Sequence, residues 1–134
     1  MINLDTNTGI AFVAEGSLVR HQLKAFVGNQ QLVMVQTAFD EFSRIIQASG
    51  GSAEQARADR FLQRITVIPD NPSPAAQMLQ PTRRIGASDI IILGTGDQMG
   101  IVTMTADAKA VRAASAQGVD FNVYLHPPYS LTGS

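Results

Sequence analysis

Cysteine and tryptophan are both absent from this 134-residue chain. Without cysteine there is no disulfide, no zinc–thiolate centre and no thiol nucleophile, which suits a reducing compartment. Aromatic residues amount to only 6% and are not interleaved with basic ones, so nothing suggests a stacking platform for single-stranded nucleic acid. No apolar run approaches the roughly 20 residues of a membrane span. Nor does the N-terminus carry a basic stretch followed by a long apolar one, so no signal peptide is expected. Excess charge of either sign is lacking as well: the net charge is −1, whereas nucleic-acid-binding domains are often strongly basic.

What is present is a substantial apolar fraction, 45%, enough for one real core and too much for disorder. The length suits a single domain. Residues 1–125 are expected to form it, in the cytoplasm. Residues 126–134, with Pro127-Pro128 and Gly133-Ser134, read as a mobile tail.

Along the chain, short apolar segments alternate with helical patterns. Ile2 to Leu4, Leu32 to Val35, Ile65 to Ile68, Ile101 to Met104 and Phe121 to Tyr124 read as strands. Between them, Ile10 to Phe26 follows helical spacing with a break near Gly16-Ser17. Thr37 is placed to cap a helix running to Ala48, and Ser52 with Gln55 reads as a capping-box start for the next. Asp70 to Pro74 reads as a turn, Ala75 to Leu79 as one helical turn, and Ala108 to Gln117 as an alanine-rich helix ended by Gly118. Strands alternating with helices predict an α/β fold, a parallel five-stranded sheet covered on both faces as a three-layer sandwich. Ligand sites of such sheets lie beyond the carboxyl ends of the strands, near the switch point in strand order.

Four acids fall at such edges: Asp5 after the first strand, Glu41 on the helix after the second, Asp89 in Ala87-Ser88-Asp89-Ile90, and Asp107 in Thr105-Ala106-Asp107. Ala38, Glu41, Ile45 and Ala48 share one helical stripe, which is expected to turn Glu41 toward the sheet. Asp40 and Arg44, on the neighbouring stripe, read as a surface pair. Carboxylates gathered without Lys or Arg partners repel one another and acquire raised pKa values unless a cation neutralises them. Hard divalent cations take oxygen ligands of this kind and keep positions open for phosphate and water. The chemistry suggested is metal-dependent phosphodiester hydrolysis. Taken singly, Asp5, Asp89 and Asp107 also suit helix caps, and Glu41 a surface pair with Arg44.

The local sequences resemble the PIN-domain family of small nucleases. Leu4-Asp5-Thr6-Asn7 is similar to that family's opening signature; Glu41, Ala87-Ser88-Asp89-Ile90-Ile91 and Thr105-Ala106-Asp107 follow in the family's order, over roughly residues 1 to 124. The resemblance implies a PIN-like fold and an endoribonuclease. Asp5, Glu41, Asp89 and Asp107 would hold one or two Mg²⁺ or Mn²⁺ ions, with Thr105 and Asn7 in support. It makes Asp89-Ile90-Ile91-Ile92-Leu93 helical, although β-branched propensity alone would call the run a strand; Gly94 and Gly96 would then allow close packing. Small free-standing members are commonly toxins of toxin–antitoxin pairs and form homodimers, so the implied partners are an RNA substrate, an antitoxin protein and a second copy, with no membrane. The sequence departs from the family at Thr8-Gly9, where apolar residues are usual. The rival function is a PIN-like binding or scaffold module without activity.

Other motifs carry less. Gly94-Thr95-Gly96-Asp97-Gln98-Met99-Gly100 looks like a dinucleotide-binding loop but is followed by a strand where a helix is needed. Asp70 with Asp5 and Lys109 is faintly similar to a phospho-accepting receiver, without the adjacent acid pair. His21 and His126 have no partner at a motif spacing and read as surface or semi-buried. The basic residues Arg57, Arg60, Arg64, Arg83, Arg84, Lys109 and Arg112 are candidates for a rim around the acids or for ordinary solvated surface.

Overall fold

The computed structural model describes residues 1–134. Five strands, β1 (Ile2–Leu4), β2 (Leu32–Val35), β3 (Ile65–Ile68), β4 (Val102–Thr105) and β5 (Val123–Leu125), form one all-parallel sheet in the order β3-β2-β1-β4-β5. The helices are α1 (Thr6–Val13), α2 (Arg20–Val27), α3 (Gln36–Ser49), α4 (Ser52–Leu62), α5 (Pro74–Gln77), α6 (Ala87–Met99) and α7 (Ala108–Ala116). The chain winds outward from β1 to β3, then crosses back to β4 on the other side of β1. Right-handed crossovers in opposite directions place α1–α4 on one face and α5–α7 on the other. The apolar clusters divide accordingly: one gathers Leu23, Phe42, Ile46 and Ala58 with Ile2, Leu4 and Met34, the other Ala76, Ile85, Leu93, Ala110 and Ala114. Strands β1 and β2 are buried throughout, as central strands of a twice-covered sheet must be, while the edge strands β3 and β5 are only partly covered.

The Ile90-Ile91-Ile92 run is helical. Tertiary constraint overrides β propensity here. At its start the Gly86 N–H donates to Asp89 Oδ2 at 2.9 Å, and Gly100, at φ 67°, ends it in the left-handed conformation. Within it, a Cβ at Gly94 would stand 2.5 Å from Ala76 Cβ, and one at Gly96 would collide with Thr103 Oγ1 on β4. These glycines are packing contacts inside a helix, which accounts for the glycine-rich segment without a dinucleotide. Gly9 has the same role in α1: a Cβ there would lie 2.9 Å from the Phe42 ring, so the unusual Thr8-Gly9 step lets α1 settle onto α3.

Three local expectations are corrected. Thr37 does not cap α3; its N–H and hydroxyl instead donate to Asp70 Oδ1 and Oδ2 at 3.0 and 2.5 Å, which also gives Asp70 a structural role. The cap of α4 is Gly51, whose N–H donates to Glu54 Oε1 at 3.3 Å, so the reciprocating acid is Glu54 and not Gln55. Asp40 accepts from Gln36 Nε2 at 2.8 Å and forms no ion pair with Arg44; Arg57–Glu15 is the one ion pair of the chain.

The C-terminal segment 126–134 is packed against the domain, where a mobile tail was expected. His126 is buried, its Nε2 2.7 Å from the Thr8 hydroxyl and its Nδ1–H donating to the Pro127 carbonyl at 2.8 Å. Glu54, fully buried, holds the end of the chain: it accepts N–H bonds from Thr132 and Gly133 at 2.9 Å, and its own N–H donates to the Ser134 carbonyl at 3.0 Å. Burial pushes the Glu54 carboxyl up, but N–H donors from Thr132, Glu15, Gly51 and Gly133 outweigh it and hold the pKa down at about 2. Because this folded value lies below the unfolded one, the stabilisation is complete above about pH 4.5 and is lost as pH falls through about 2. Glu54→Gln should therefore lower stability at neutral pH by at least about 2 kcal/mol. It should also speed hydrogen exchange at the Thr132 and Gly133 amides; unchanged exchange there would show that Glu54 does not hold the tail.

Candidate active site

The direction of winding reverses at β1, and the residue that leaves β1 is Asp5. Its neighbour β4 leads out through Thr105 to Asp107, so these two acids share the carboxyl edge of adjacent central strands. Asp5 is the N-cap of α1: Oδ1 accepts from the Thr6 N–H at 2.7 Å, and Oδ2 accepts from the Thr105 hydroxyl at 2.6 Å. Thr105 Oγ1 in turn accepts from the Asp107 N–H at 3.0 Å, and Asp107 Oδ1 caps α7 by accepting from the Ala110 N–H at 3.0 Å. Asn7 Oδ1 accepts from the Ala106 N–H at 3.1 Å, which fastens the β4–α7 turn to α1. On the other flank the Thr6 hydroxyl donates to Glu41 Oε2 at 3.3 Å. Hydroxyls and backbone N–H groups thus connect Glu41, Asp5 and Asp107. Asp89 enters from the first turn of α6, fixed by its bond from Gly86.

Asp5, Glu41 and Asp89 line one open cleft of about 500 Å³, together with Thr6, Asn7, Ile10, Ile45, Ser49 and the tail residues Pro128 to Leu131. No Lys or Arg is among the lining residues. Asp107 stands outside this lining but close enough for its charge to act on Asp5 and Asp89. The carboxylates do not close on a single point: no three of them form a ready-made ligand cage. The stripe Ala38–Glu41–Ile45–Ala48 also needs correction. The buried side of α3 is Ala38, Phe42 and Ile46, so Glu41 and Ile45 border the cleft and do not face the sheet.

Electrostatics mark Asp5 out. Burial to 5% exposure drives its pKa up from 3.8 to about 6, against the downward pull of the Thr105 and Thr6 bonds; the charges of Asp89 and Asp107 add to the rise. Burial likewise raises Asp89, opposed by the Gly86 N–H and assisted by Asp107 and Glu41. Each acid therefore acts on, or is acted on by, another of the four, and none has a cationic partner.

Sequence reasoning did not find Thr6 as the donor to Glu41, nor Thr8, which connects α1 to buried His126 and to the Met104 carbonyl. The run Thr6-Asn7-Thr8 was a usable signal, since polar residues opening a buried helix need partners. The contribution of Tyr129, Ser130 and Leu131 to the cleft had no local signal, because it depends on Glu54 holding the tail.

A family model described as "Protein of unknown function (DUF1308)" matches residues 10–134. The chain belongs to the DUF1308 family. Among solved structures, the DUF1308 chain is similar to VapBC2 from Rickettsia felis, solved bound to a DNA fragment from its promoter. The TM-score is 0.65 at 17% identity, covering 96% of this chain and 100% of that one. It is also similar to VapC20 of Mycobacterium tuberculosis, a Sarcin-Ricin loop cleaving toxin, with a TM-score of 0.58 at 16% identity over 91% and 99% of the two chains. At these identities the likeness is one of fold, a PIN-like α/β sandwich with a five-stranded parallel sheet.

The raised pKa of Asp5 has a measurable consequence. A carboxyl that is harder to ionise folded than unfolded favours folding only while protonated, so wild-type stability should fall as pH rises from about 4 through about 6. Asp5→Asn has no proton to lose and still offers an oxygen to cap Thr6. Relative to wild type it should gain on the order of 3 kcal/mol between about pH 4 and pH 7.5 in metal-free urea unfolding. A pH-independent difference would mean that Asp5 ionises normally.

Proposed function

We propose that the chain is a metal-dependent endoribonuclease, with Mg²⁺ or Mn²⁺ held by Asp5, Glu41, Asp89 and Asp107. The observation that carries this reading is Asp5: a carboxylate buried at the switch point, without a cation, in a cleft shared with two more acids. The donor set fits a hard divalent ion, being all oxygen, and the charge repulsion within it is what such an ion relieves. When bound, the metal supplies Lewis-acid activation of a phosphate and of the attacking water. The chain's own residues orient the ligands. Thr105 turns Asp5 into the cleft, Thr6 orients Glu41, and Asn7 fixes the turn from which Asp107 projects. The cleft is open enough to admit a strand of RNA, with Ile10, Ile45 and Tyr129 beside the acids.

A toxin role is part of this proposal, supported by the likeness in fold to the two Vap structures, and with it an antitoxin partner, a homodimer and a cytoplasmic site of action. No helix is long and apolar enough to cross a membrane. A second reading, an inactive PIN-like module, is favoured by two observations: no three carboxylates form a cage, and Asp5 and Asp107 already serve as caps.

Activity and binding separate the two. Incubated with mixed RNA, the purified protein should cleave with Mn²⁺ and not in EDTA, and Mn²⁺ should raise its melting temperature by mass action. Asp5→Asn and Asp107→Asn should each reduce cleavage to background without loss of fold, and together no further, since both serve one site. Thr105→Val should cost about 10–100-fold, as expected for a residue that positions a ligand. Wild-type cleavage in both Asn variants would overturn the assignment of these carboxylates to the reaction; no cleavage by wild type, with a melting temperature indifferent to Mn²⁺, would leave the inactive module as the reading.

A further inference from the structure

The basic residues separate into two groups with different uses. In the first, Arg57 Nη1 donates to the Val13 carbonyl at 3.1 Å and pairs with Glu15, and Arg20 Nε donates to the Phe12 carbonyl at 2.6 Å. These arginines satisfy the C-terminal carbonyls of α1, a structural task. Arg64 Nη2 similarly donates to the Gly28 carbonyl at 2.6 Å.

The second group has no such employment. Arg83, Arg84, Lys109 and Arg112 alone line a groove of about 570 Å³, and none of them is in an ion pair. Four like charges face one hollow, and the surrounding structure fixes the backbone that carries them. Gln80 N–H donates to Gln117 Oε1 at 2.8 Å and Gln117 Nε2 donates back to the Gln80 carbonyl at 2.9 Å, which bolts the 80–85 loop to the end of α7. The Thr82 hydroxyl accepts from the N–H groups of Arg84 and Ile85, both at 3.2 Å, and the Thr82 N–H donates to the Ile85 carbonyl at 2.8 Å. Ile85, fully buried, then anchors the turn in the core beside Ala110 and Ala114. The loop is thereby fixed so that Arg83 and Arg84 stand opposite Lys109 and Arg112, one helical turn apart on α7.

The position of this groove ties it to the acids. Lys109 lies two residues beyond Asp107 in the first turn of α7, and Arg84 lies two residues before Gly86, whose N–H holds Asp89. We propose that this four-cation groove binds the phosphate backbone of the RNA strand whose scissile bond lies among the carboxylates, a proposal that rests on the nuclease reading. No apolar residue lines the groove, and the adjoining hollow that shares Arg83, Arg84 and Arg112 adds, as apolar groups, only the small side chains of Ala113 and Ala116. A protein partner would need an apolar centre to its interface, whereas a phosphate chain needs only spaced cations. The groove also answers the charge problem of the site: a polyanion would otherwise be repelled by the acids, and Lys109 stands two residues from Asp107.

The test measures binding without cleavage. A fluorescein-labelled single-stranded RNA of roughly twelve nucleotides is titrated in EDTA at several salt concentrations. The proteins compared are wild type, Lys109→Ala/Arg112→Ala, Arg83→Ala/Arg84→Ala, and a control, Lys24→Ala/Arg60→Ala, from the other basic hollow. All substituted positions are exposed, and melting curves check that each variant is folded. Each groove pair should weaken binding and reduce the slope of log K against log salt by about 1.4, or 0.7 per lost contact, with the control unchanged. Equal losses in groove and control pairs would show a nonspecific charge effect and overturn the proposal, as would wild-type affinity in both groove pairs. Binding of polyglutamate in place of RNA would overturn it in favour of an acidic protein partner. The nuclease reading is tested apart: Asp5→Asn, which removes one of the repelling charges, should bind RNA at least as tightly as wild type in EDTA while failing to cleave it when Mn²⁺ is added. Binding lost in the groove variants with no cleavage by any form leaves the groove standing and the nuclease reading fallen. Cleavage with groove affinity unchanged does the reverse.

Discussion

The site depends on one unfavourable arrangement, a carboxylate without a cation buried where the central strand ends. Burial alone would drive Asp5 toward its neutral form. Two donors keep its oxygens oriented, the Thr6 N–H at the start of α1 and the Thr105 hydroxyl at the end of β4. The first exists because the chain turns from strand to helix at that residue. The second exists because β1 and β4 are paired in register, Leu4 opposite Met104. The same pairing brings Asp107 within electrostatic reach, and the crossover from β3 delivers Asp89 from the opposite face of the sheet. Capping and cleft-lining are therefore not competing roles for Asp5. Both follow from a strand ending where a helix begins.

The other buried carboxylate shows the contrast. Glu54 is as inaccessible as Asp5, yet four backbone N–H groups hold its pKa at about 2 where Asp5 rises to about 6. Glu54 is fully satisfied by its own chain and serves to fasten the tail. Asp5 retains charge that the protein does not neutralise. Four backbone N–H donors are what make Glu54 a structural acid here.

Much of this was legible. The five strands were recognisable because short β-branched or apolar runs were bounded by turn residues, and β2 and β3 fall where the pattern put them. The four acids were legible as edge residues. Less accessible were the local caps: Thr37 and Ser52 are good N-cap residues by type, but Asp70 competes for the first and Glu54 reaches Gly51 in place of the second. The partner in each case is a matter of three-dimensional placement or of one residue's difference in helix start.

The sequence by itself determined the alternation of strand and helix and the positions at which acids leave it, since these follow from residue type and spacing. The helical state of Ile90 to Ile92 was available only through the family resemblance, because propensity pointed to a strand; the Gly86 and Gly100 caps that bound the helix emerge from the structure. Only the tertiary structure decided which acids share a cleft, because that follows from the strand order and from the faces to which crossovers send their helices. It alone decided that Pro128 to Leu131 form part of that cleft, through a carboxylate more than seventy residues away in sequence. It also separated arginines that cap α1 from those left free in a groove. Identical side chains carry no sign of their partners, and a charge acquires its use from what packing places beside it.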